Sequence, residues 1–381
     1  MSASKKKILI CSLVYYPDFV GGAEVAVKEI TDRCSPEEIE FHMVTLRVGK
    51  KVSSREKIGN VEVYRVLGWL PLPFAKLLFP FAACFKAAQL NRQHSYTAVW
   101  AIMANYAGFA ALFFKYLVPR VTFILTLQEG DPIEYIKRRV RFVYPLFKRI
   151  FTRADRIQAI SQYLAGWAKE TGARASIEVV PNGVDLALFG NREARKTNVR
   201  TELNLLPTDK LLITTSRLVV KNAVGDVIDS LLFLPPEVKF LVLGTGPLEN
   251  DLRKKVEEHK LTARVFFLGY VPHEKLPGYL SSADIFIRPS LSEGMGNSFV
   301  EAMAAGIPVI ATSVGGISDF LKDKETGLFC AVQDPKDIAR KVTILLRDEA
   351  IRGTIIEQAE RLVREKYDWG LVASHMKEKI F

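Results

Sequence analysis

RPSLSEGMGNSFVEAMAAGIPVIAT, residues 288–312, is the stretch that decides the fold. Glu293 and Glu301 stand in it with seven residues between them. Gly294 and Gly296 follow the first glutamate, Asn297 is placed to cap a helix, and Gly306 is placed to end it. The apolar run ADIFIRPS comes before and PVIAT follows. The expected order is strand, Gly-rich turn, helix, strand, with one carboxylate in the turn and one in the helix. A helix N-terminus presents backbone N–H groups and a partial positive charge, which suit phosphate. Carboxylates beside it are acceptors for ligand hydroxyls.

Working outward, the same alternation runs through the whole chain. In the first half the apolar runs are KILICSLV, EFHMVTL, VEVYRV, AVWAI, VTFILTL, RIQAI and IEVVPN. In the second they are LLITTS, VKFLVLG, RVFFLG, ADIFIRPS and PVIAT. Near-continuous apolar strands separated by helical segments predict parallel sheets covered on both faces. Two such series in 381 residues predict an α/β protein of two Rossmann-like, doubly wound domains. The boundary is expected after VVPNGVDLALF, with residues 1–185 as the first domain and 186–366 as the second. The polar stretch GNREARKTNVR reads as a linker.

Charge divides the chain in the same place. Residues 1–185 carry 26 Lys and Arg against 16 Asp and Glu, and the remainder carries 27 against 26. A basic first half implies an anionic partner there: an acidic acceptor, a membrane surface or nucleic acid. Residues 137–156, KRRVRFVYPLFKRIFTRADR, hold eight basic residues interleaved with aromatic and aliphatic ones. They read as a basic amphipathic segment at an anionic membrane, or as a solvated basic face of a helix. No nucleic-acid module accompanies the charge, so nucleic acid is not expected as a partner. Residues 66–85, VLGWLPLPFAKLLFPFAACF, are apolar, but Pro71, Pro73, Pro80 and Lys76 argue against a spanning helix. A hydrophobic helix near a membrane surface or a core helix is expected instead.

The start, MSASKKKILICSLV, imitates a short signal peptide, but YYPDFVGG follows where a small-residue cleavage site would stand. It reads as a first strand. Cys11, Cys34, Cys84 and Cys330 form no CxxC pair and read as reduced cytosolic thiols in or near the core. No HExxH, His cluster, Cys cluster or DxD appears, so no metal and no cofactor are expected.

Several strand ends carry residues suited to a ligand. Gly21 and Gly22 open a helix after the first strand and let backbone approach a ligand. LTLQEGDP offers Gln128, Glu129 and Asp131. The alternative there is a polar loop with Asp131 capping the next helix. Arg217 and Lys221 lie just past LLITTS, where two cations suit a diphosphate. Gly244 and Gly246 in LVLGTGPL read as turn glycines.

The 288–312 block resembles the nucleotide-sugar site of retaining glycosyltransferases of the GT-B fold, in the large family four typified by bacterial mannosyl- and glucosyltransferases. The resemblance covers nearly the whole chain, strongest from Thr215 to Asp334 and weakest from Gly49 to Tyr116. It implies two Rossmann-like domains facing a central cleft, with a last helix, about 367–381, crossing back onto the first. It implies that Glu293 orients the transferred sugar or stabilises its oxocarbenium-like state. Glu301 would take the ribose hydroxyls, and backbone at Gly296, Asn297 and Ser298 would hold the diphosphate. Arg217 and Lys221 would stabilise the leaving group, their spacing being one residue shorter than the commonest pattern. The Gly21–Gly22 loop would approach the donor phosphates and acceptor. Tyr270 and Val271 would lie against the nucleobase. Where the family has a histidine near the donor sugar, this chain has Gln128, which cannot carry a proton at neutral pH.

The resemblance thus implies a retaining, metal-independent hexosyltransferase with a nucleotide-sugar donor. The charge asymmetry favours a glycan or lipid-linked acceptor and a peripheral place on the cytoplasmic membrane face. A rival reading is a non-catalytic sugar-nucleotide or glycan-binding protein on the same fold, favoured by Gln128. A GT-B epimerase or phosphorylase lacks its expected histidines or cofactor-lysine context.

Overall fold

The structure is a computed structural model that describes residues 5–17, 19–49, 52–190 and 198–381. The chain forms two compact units: Met1–Asn182 together with Trp369–Phe381, and Gly183–Asp368. Each is a Rossmann-like layer of parallel strands between helices.

The first unit holds β1 (Lys6–Cys11), β2 (Ile39–Leu46), β3 (Arg55–Ile58), β4 (Val61–Val66), β5 (Ala98–Ile102), β6 (Thr122–Leu127), β7 (Arg156–Ala159) and β8 (Ser176–Val179). Their spatial order is β3-β4-β2-β1-β5-β6-β7-β8. All pairs are parallel except β3 with β4. Strand β3 was not expected: REKI has three charged residues before its one apolar residue, has no buried residue, and lies at the sheet edge. Apolar runs signal buried strands, and an edge hairpin gives no such run.

The core of this unit is built from the inward residues of β1, β2 and β5 and from helix α1 (Gly22–Asp32). Trp369, Val372, Met376, Ile380 and Phe381 complete it. Phe381 meets Trp100 edge-on at 4.9 Å and Phe41 at 5.6 Å. Lys6 Nζ donates to Phe381 O at 3.1 Å, and Arg156 Nη1 donates to Ile380 O at 2.8 Å.

Residues 66–85 do not break at their prolines. Helix α2 (Leu72–His94) starts after Pro71 and runs on through Pro80. Ala75, Phe79, Ala83, Ala87 and Leu90 face the core, while Phe74, Leu77, Leu78, Phe81 and Phe85 are exposed on the outside. The core reading thus holds for one face of α2, and the other face is apolar and exposed. Among the described residues no helix is long and apolar enough to cross a membrane. Helix α3 (Tyr106–Leu117) lies beside α2, and Phe81 stacks on Phe113 at 5.3 Å.

The basic segment forms α4 (Ile133–Val140), one 3-10 turn (Arg141–Val143) and α5 (Tyr144–Arg153). No side chain of α4 is buried, and Phe147, Ile150 and Phe151 anchor α5. Pro132, not Asp131, holds the cap position of α4, without a side-chain cap bond. All four cysteines are buried and free.

The second unit holds β9 (Lys210–Thr215), β10 (Val238–Leu243), β11 (Val265–Gly269), β12 (Ile285–Arg288), β13 (Val309–Thr312) and β14 (Leu328–Cys330), in the order β11-β10-β9-β12-β13-β14 and all parallel. Strand β14, three residues long, was also not expected. Of the predicted linker, residues 191–197 lie outside the described residues, and Val199–Glu202 forms a short helix.

Candidate active site

In the second sheet the strand order reverses between β9 and β12. Parallel strands that diverge to opposite sides leave a crevice beyond their carboxyl ends at such a reversal. The loops leaving these two strands meet there, and Leu291 N donates to Lys221 O at 2.7 Å.

Arg288, the last residue of β12, organises this place. Its side chain is buried. Nη2 donates to Glu293 Oε2 at 3.0 Å. Nη1 donates to Ser298 Oγ at 2.8 Å and to Thr215 O at 3.3 Å. The guanidinium lies 4.3 Å from the centre of the Phe299 ring. Burial pushes the guanidinium pKa below its ordinary value, and the charges of Glu293 and Glu301 push it back up. A buried arginine is tolerated when its fork meets matched acceptors. The sequence reading quoted Arg288 but gave it no task. The available signal was a charged residue closing the apolar strand IFIR, where it needs a partner.

The two glutamates stand as the spacing implies, Glu293 in the turn and Glu301 in the helix Asn297–Ala304. The cap differs from expectation. Gly296 occupies it at φ +91°, and Asn297 is the first helical residue. A Cβ at Gly296 would fall 2.5 Å from the Phe299 ring and 2.8 Å from Arg288 Nη2. Only glycine fits there, in conformation and in space. Gly306 follows the helix at φ +72° and donates to Met303 O at 3.1 Å, ending it as expected. Glu301 Oε1 lies 2.9 Å from His273 Nε2, a partner the sequence reading did not identify. His273 comes from a 3-10 turn past β11, far away in sequence.

Close backbone contacts fix the loops. A Cβ at Gly315 would fall 1.9 Å from Glu293 O, which accepts from Gly316 N at 3.1 Å. A Cβ at Gly244 would fall 1.9 Å from Ser216 O, and one at Gly246 would fall 2.4 Å from Leu218 O. These glycines let the turn after β10 press against the loop that carries Arg217. The Arg217 side chain is exposed and that of Lys221 half-buried. Tyr270 is exposed and Val271 half-buried, past the carboxyl end of β11.

The same edge holds buried polar atoms without partners: Thr214 Oγ1, Thr215 Oγ1, Ser216 Oγ, Ser290 Oγ and Arg288 Nε. Buried polar atoms nearly always find a partner. Five clustered at the ends of β9 and β12 mark a place completed by a polar ligand or water.

The first sheet reverses its order between β1 and β5. Gly21 and Gly22 lie past β1, with Gly21 at the cap of α1 and Glu24 Oε2 accepting from Gly21 N at 3.0 Å. Gln128, past β6, is buried, and its Oε1 accepts from Asn182 Nδ2 at 3.3 Å. Its neighbour Glu129 is also buried. Glu129 Oε1 accepts from Ala104 N at 2.6 Å, past β5, while Oε2 has no partner. Burial pushes this carboxyl up to about 7, against the lowering effect of the Ala104 amide. The chain thus carries a buried titratable group directly next to Gln128.

The chain is similar to known proteins over both units. The family model for glycosyl transferases group 1 matches residues 195–366, and that for glycosyltransferase family 4 matches residues 20–188. The chain is 25% identical over 355 residues to the N-acetyl-alpha-D-glucosaminyl L-malate synthase of Bacillus anthracis, covering 92% of this chain and 91% of that protein. It is 24% identical over 395 residues to the GDP-mannose-dependent monoacylated alpha-(1-6)-phosphatidylinositol monomannoside mannosyltransferase of Corynebacterium glutamicum, covering 99% and 98%. The crystal structure of Anabaena HepE in complex with UDP-glucose superposes with a TM-score of 0.81 at 20% identity, covering 98% of this chain and 99% of that one. The two family models together span both units, and the chain belongs to the GT-B glycosyltransferases of the family-four, group 1 type.

Proposed function

We propose that this transferase moves a hexose, with retention at the anomeric carbon, from a nucleotide-sugar to a glycan or lipid-linked acceptor at the cytoplasmic face of a membrane. The observation that carries the reading is Arg288, which holds Glu293 and Ser298 together at the reversal of the second sheet, among unpartnered buried hydroxyls. A nucleoside diphosphate fits this chemistry. The N-terminus of Asn297–Ala304 suits its phosphates, and Arg217 and Lys221 supply positive charge. These groups take the role a metal would have at the diphosphate, so the reading requires none.

In this mechanism the acceptor oxygen attacks the anomeric carbon from the face of the leaving group. The bond from that carbon to the diphosphate oxygen breaks, its electron pair stays on the diphosphate, and a diphosphate oxygen takes the acceptor proton. Glu293 orients the sugar and offsets the positive charge that develops on it. Glu301 accepts from the ribose hydroxyls, with Tyr270 and Val271 at the base. Gly21, Gly22 and Gln128 are read as ligand contacts of the first unit itself, past the ends of β1 and β6.

The acceptor class and the membrane rest on the surface of the first unit. The exposed face of α2 carries Phe74, Leu77, Leu78, Phe81 and Phe85. Phe81, Phe113, Phe109 and Phe147 form a chain of ring contacts from α2 across α3 to α5. The exposed Arg138, Arg139, Arg141, Lys148 and Arg149 lie along α4, the 3-10 turn after it and α5. Apolar side chains beside a basic stripe suit the interface of an anionic bilayer. A relative whose name specifies a phosphatidylinositol mannoside acceptor supports the same class.

The test is nucleotide release from UDP-, GDP- and ADP-hexoses by the wild type and by Glu293→Ala, with the anomeric configuration of the product read by NMR. Release from one donor, lost in the variant, with the donor configuration kept, is the expected result. A product of inverted configuration overturns retention. Tight binding of a donor without turnover, even with glycan and lipid-linked acceptors supplied, supports the non-catalytic binding protein that Gln128 favours.

A further inference from the structure

Three side chains outside the transfer site converge in the first unit. Glu40 and His42 alternate along β2 and so project from the same face of the sheet. His94 is the last residue of α2. The chain then turns through Ser95 at φ +53°, and Tyr96 N donates to Asn91 Oδ1 at 2.9 Å, which fixes this end of the helix. The sequence reading found no His cluster, because 52 positions separate His42 from His94 and only the fold joins them.

The geometry is that of a ligand set. His42 Nε2 lies 3.1 Å from Glu40 Oε1, and His94 Nδ1 lies 3.7 Å from the same oxygen. One donor atom of each residue lies within 4.8 Å of the other two. The two rings stand 4.2 Å apart, nearly perpendicular. Zinc bonds of about 2.0–2.2 Å put the ligand atoms of a tetrahedral site about 3.4 Å apart. The two measured separations fall on either side of that value.

The surroundings fit as well. Tyr96 Oη lies 2.5 Å from His42 Nδ1, the nitrogen turned away from the cluster. Such an outer partner orients a metal-bound imidazole and selects its tautomer. Lys5 pairs with Glu40 Oε2 at 3.2 Å and leaves Oε1 to the two histidines. Lys5 and Lys7 oppose a dication here, while Glu62, across the sheet from His42, favours one.

We propose that Glu40, His42 and His94 bind a divalent transition-metal ion of the zinc class, with the remaining position open to water. Two imidazoles and one carboxylate select such a metal over magnesium or calcium, which take oxygen ligands. Bound there, it would tie the end of α2 to β2 and leave the transfer chemistry to the second unit. This inference is independent of the donor and acceptor named above.

The test is a titration of the chelator-treated, tag-free full-length protein with zinc chloride by calorimetry, with magnesium chloride as control. The wild type is expected to bind one zinc ion in this site and to melt at a higher temperature with zinc present. Glu40→Gln and His94→Ala alter half-buried side chains, and each is expected to weaken binding at least tenfold and abolish the thermal shift. Circular dichroism without zinc checks that both variants fold as the wild type does. No stoichiometric zinc binding by the wild type, or binding unchanged in both variants, overturns the site.

Discussion

Arg288 and Glu293 are joined by a 3.0 Å bond from Nη2 to Oε2, and both side chains are largely shielded from water. The role proposed for Glu293, orienting a sugar, needs a fixed position, and a buried guanidinium supplies it from the preceding strand end. Removing one partner of such a pair leaves the other desolvated and uncompensated. Arg288→Ala is therefore expected to cost the second unit about 3–5 kcal/mol, read as a lower urea midpoint. An unchanged midpoint would show that the pair carries no structural weight.

Gly315 presses on the same glutamate from behind. At φ +56°, with a Cβ 1.9 Å from Glu293 O, Gly315→Ala must push the turn away. Displacement by an ångström at a reacting centre costs about a hundredfold in rate. Turnover should fall by that order, while Gly353→Ala serves as the opposite control. Gly353 lies within the helix Glu349–Lys366, and a Cβ there meets nothing within 4 Å. That variant should gain about 0.5–1 kcal/mol of stability at unchanged turnover.

His273 Nε2 lies 2.9 Å from Glu301 Oε1. Its loss should free the Glu301 carboxylate to wander and weaken donor binding. Hydrogen bonds to charged groups contribute about 1.5–3 kcal/mol, so His273→Ala should raise donor KM about tenfold or more. The kcat should hold, because the reacting atoms are untouched. A fall in kcat at constant KM would place His273 in the chemistry instead.

Glu129 makes a pH prediction. Its folded pKa is raised by burial, so the native state holds a proton that the unfolded state has lost in the window from about 4.5 to about 7. The protonated group favours the native state below that window, and this contribution is lost as pH rises through it. Glu129→Gln keeps an acceptor for Ala104 N and cannot ionise. Its melting temperature relative to wild type should therefore rise between pH 5 and pH 8, by an amount equivalent to roughly 3 kcal/mol at most. A difference independent of pH would show that Glu129 is not a neutral buried acid.

The apolar face of α2 predicts vesicle binding. The wild type should sediment with vesicles containing phosphatidylglycerol at low salt, and release at high salt should follow from screening. Phe81→Ser with Phe85→Ser should reduce that binding about tenfold without lowering the melting temperature, since both rings are exposed. Equal sedimentation of wild type and double variant would remove α2 from the membrane reading.

Most of the sheet segments were legible because parallel strands buried on both faces must be written as unbroken apolar runs. VKFLVLG and VTFILTL, for example, form β10 and β6. Strands β3 and β14 were not legible, one being a charged edge and the other three residues long. At the candidate site, the turn and helix positions of Glu293 and Glu301 could be read because both lie in one continuous stretch. Arg288 to Ser298 could not, since the path of the turn alone brings them together, nor could Glu301 to His273 and Glu129 to Ala104, whose partners come from other loops. The cap at Gly296 was misread for a related reason. Asn297 is the better cap by residue type, but the space under the Arg288 guanidinium admits no side chain at position 296.

The segment Trp369–Phe381 lies in the first unit although 186 residues of the second precede it. Synthesis of the chain therefore delivers the parts of the two units out of order. The first sheet emerges early, yet Trp100 and Phe41 await Phe381, the ring that covers them. The second unit has all of its residues before the first has the last of its own. No single cleavage of the backbone yields two complete units, and a fragment ending at Asn182 would present that uncovered aromatic surface to solvent. The core of the first unit is thus completed only after the whole of the second has been made.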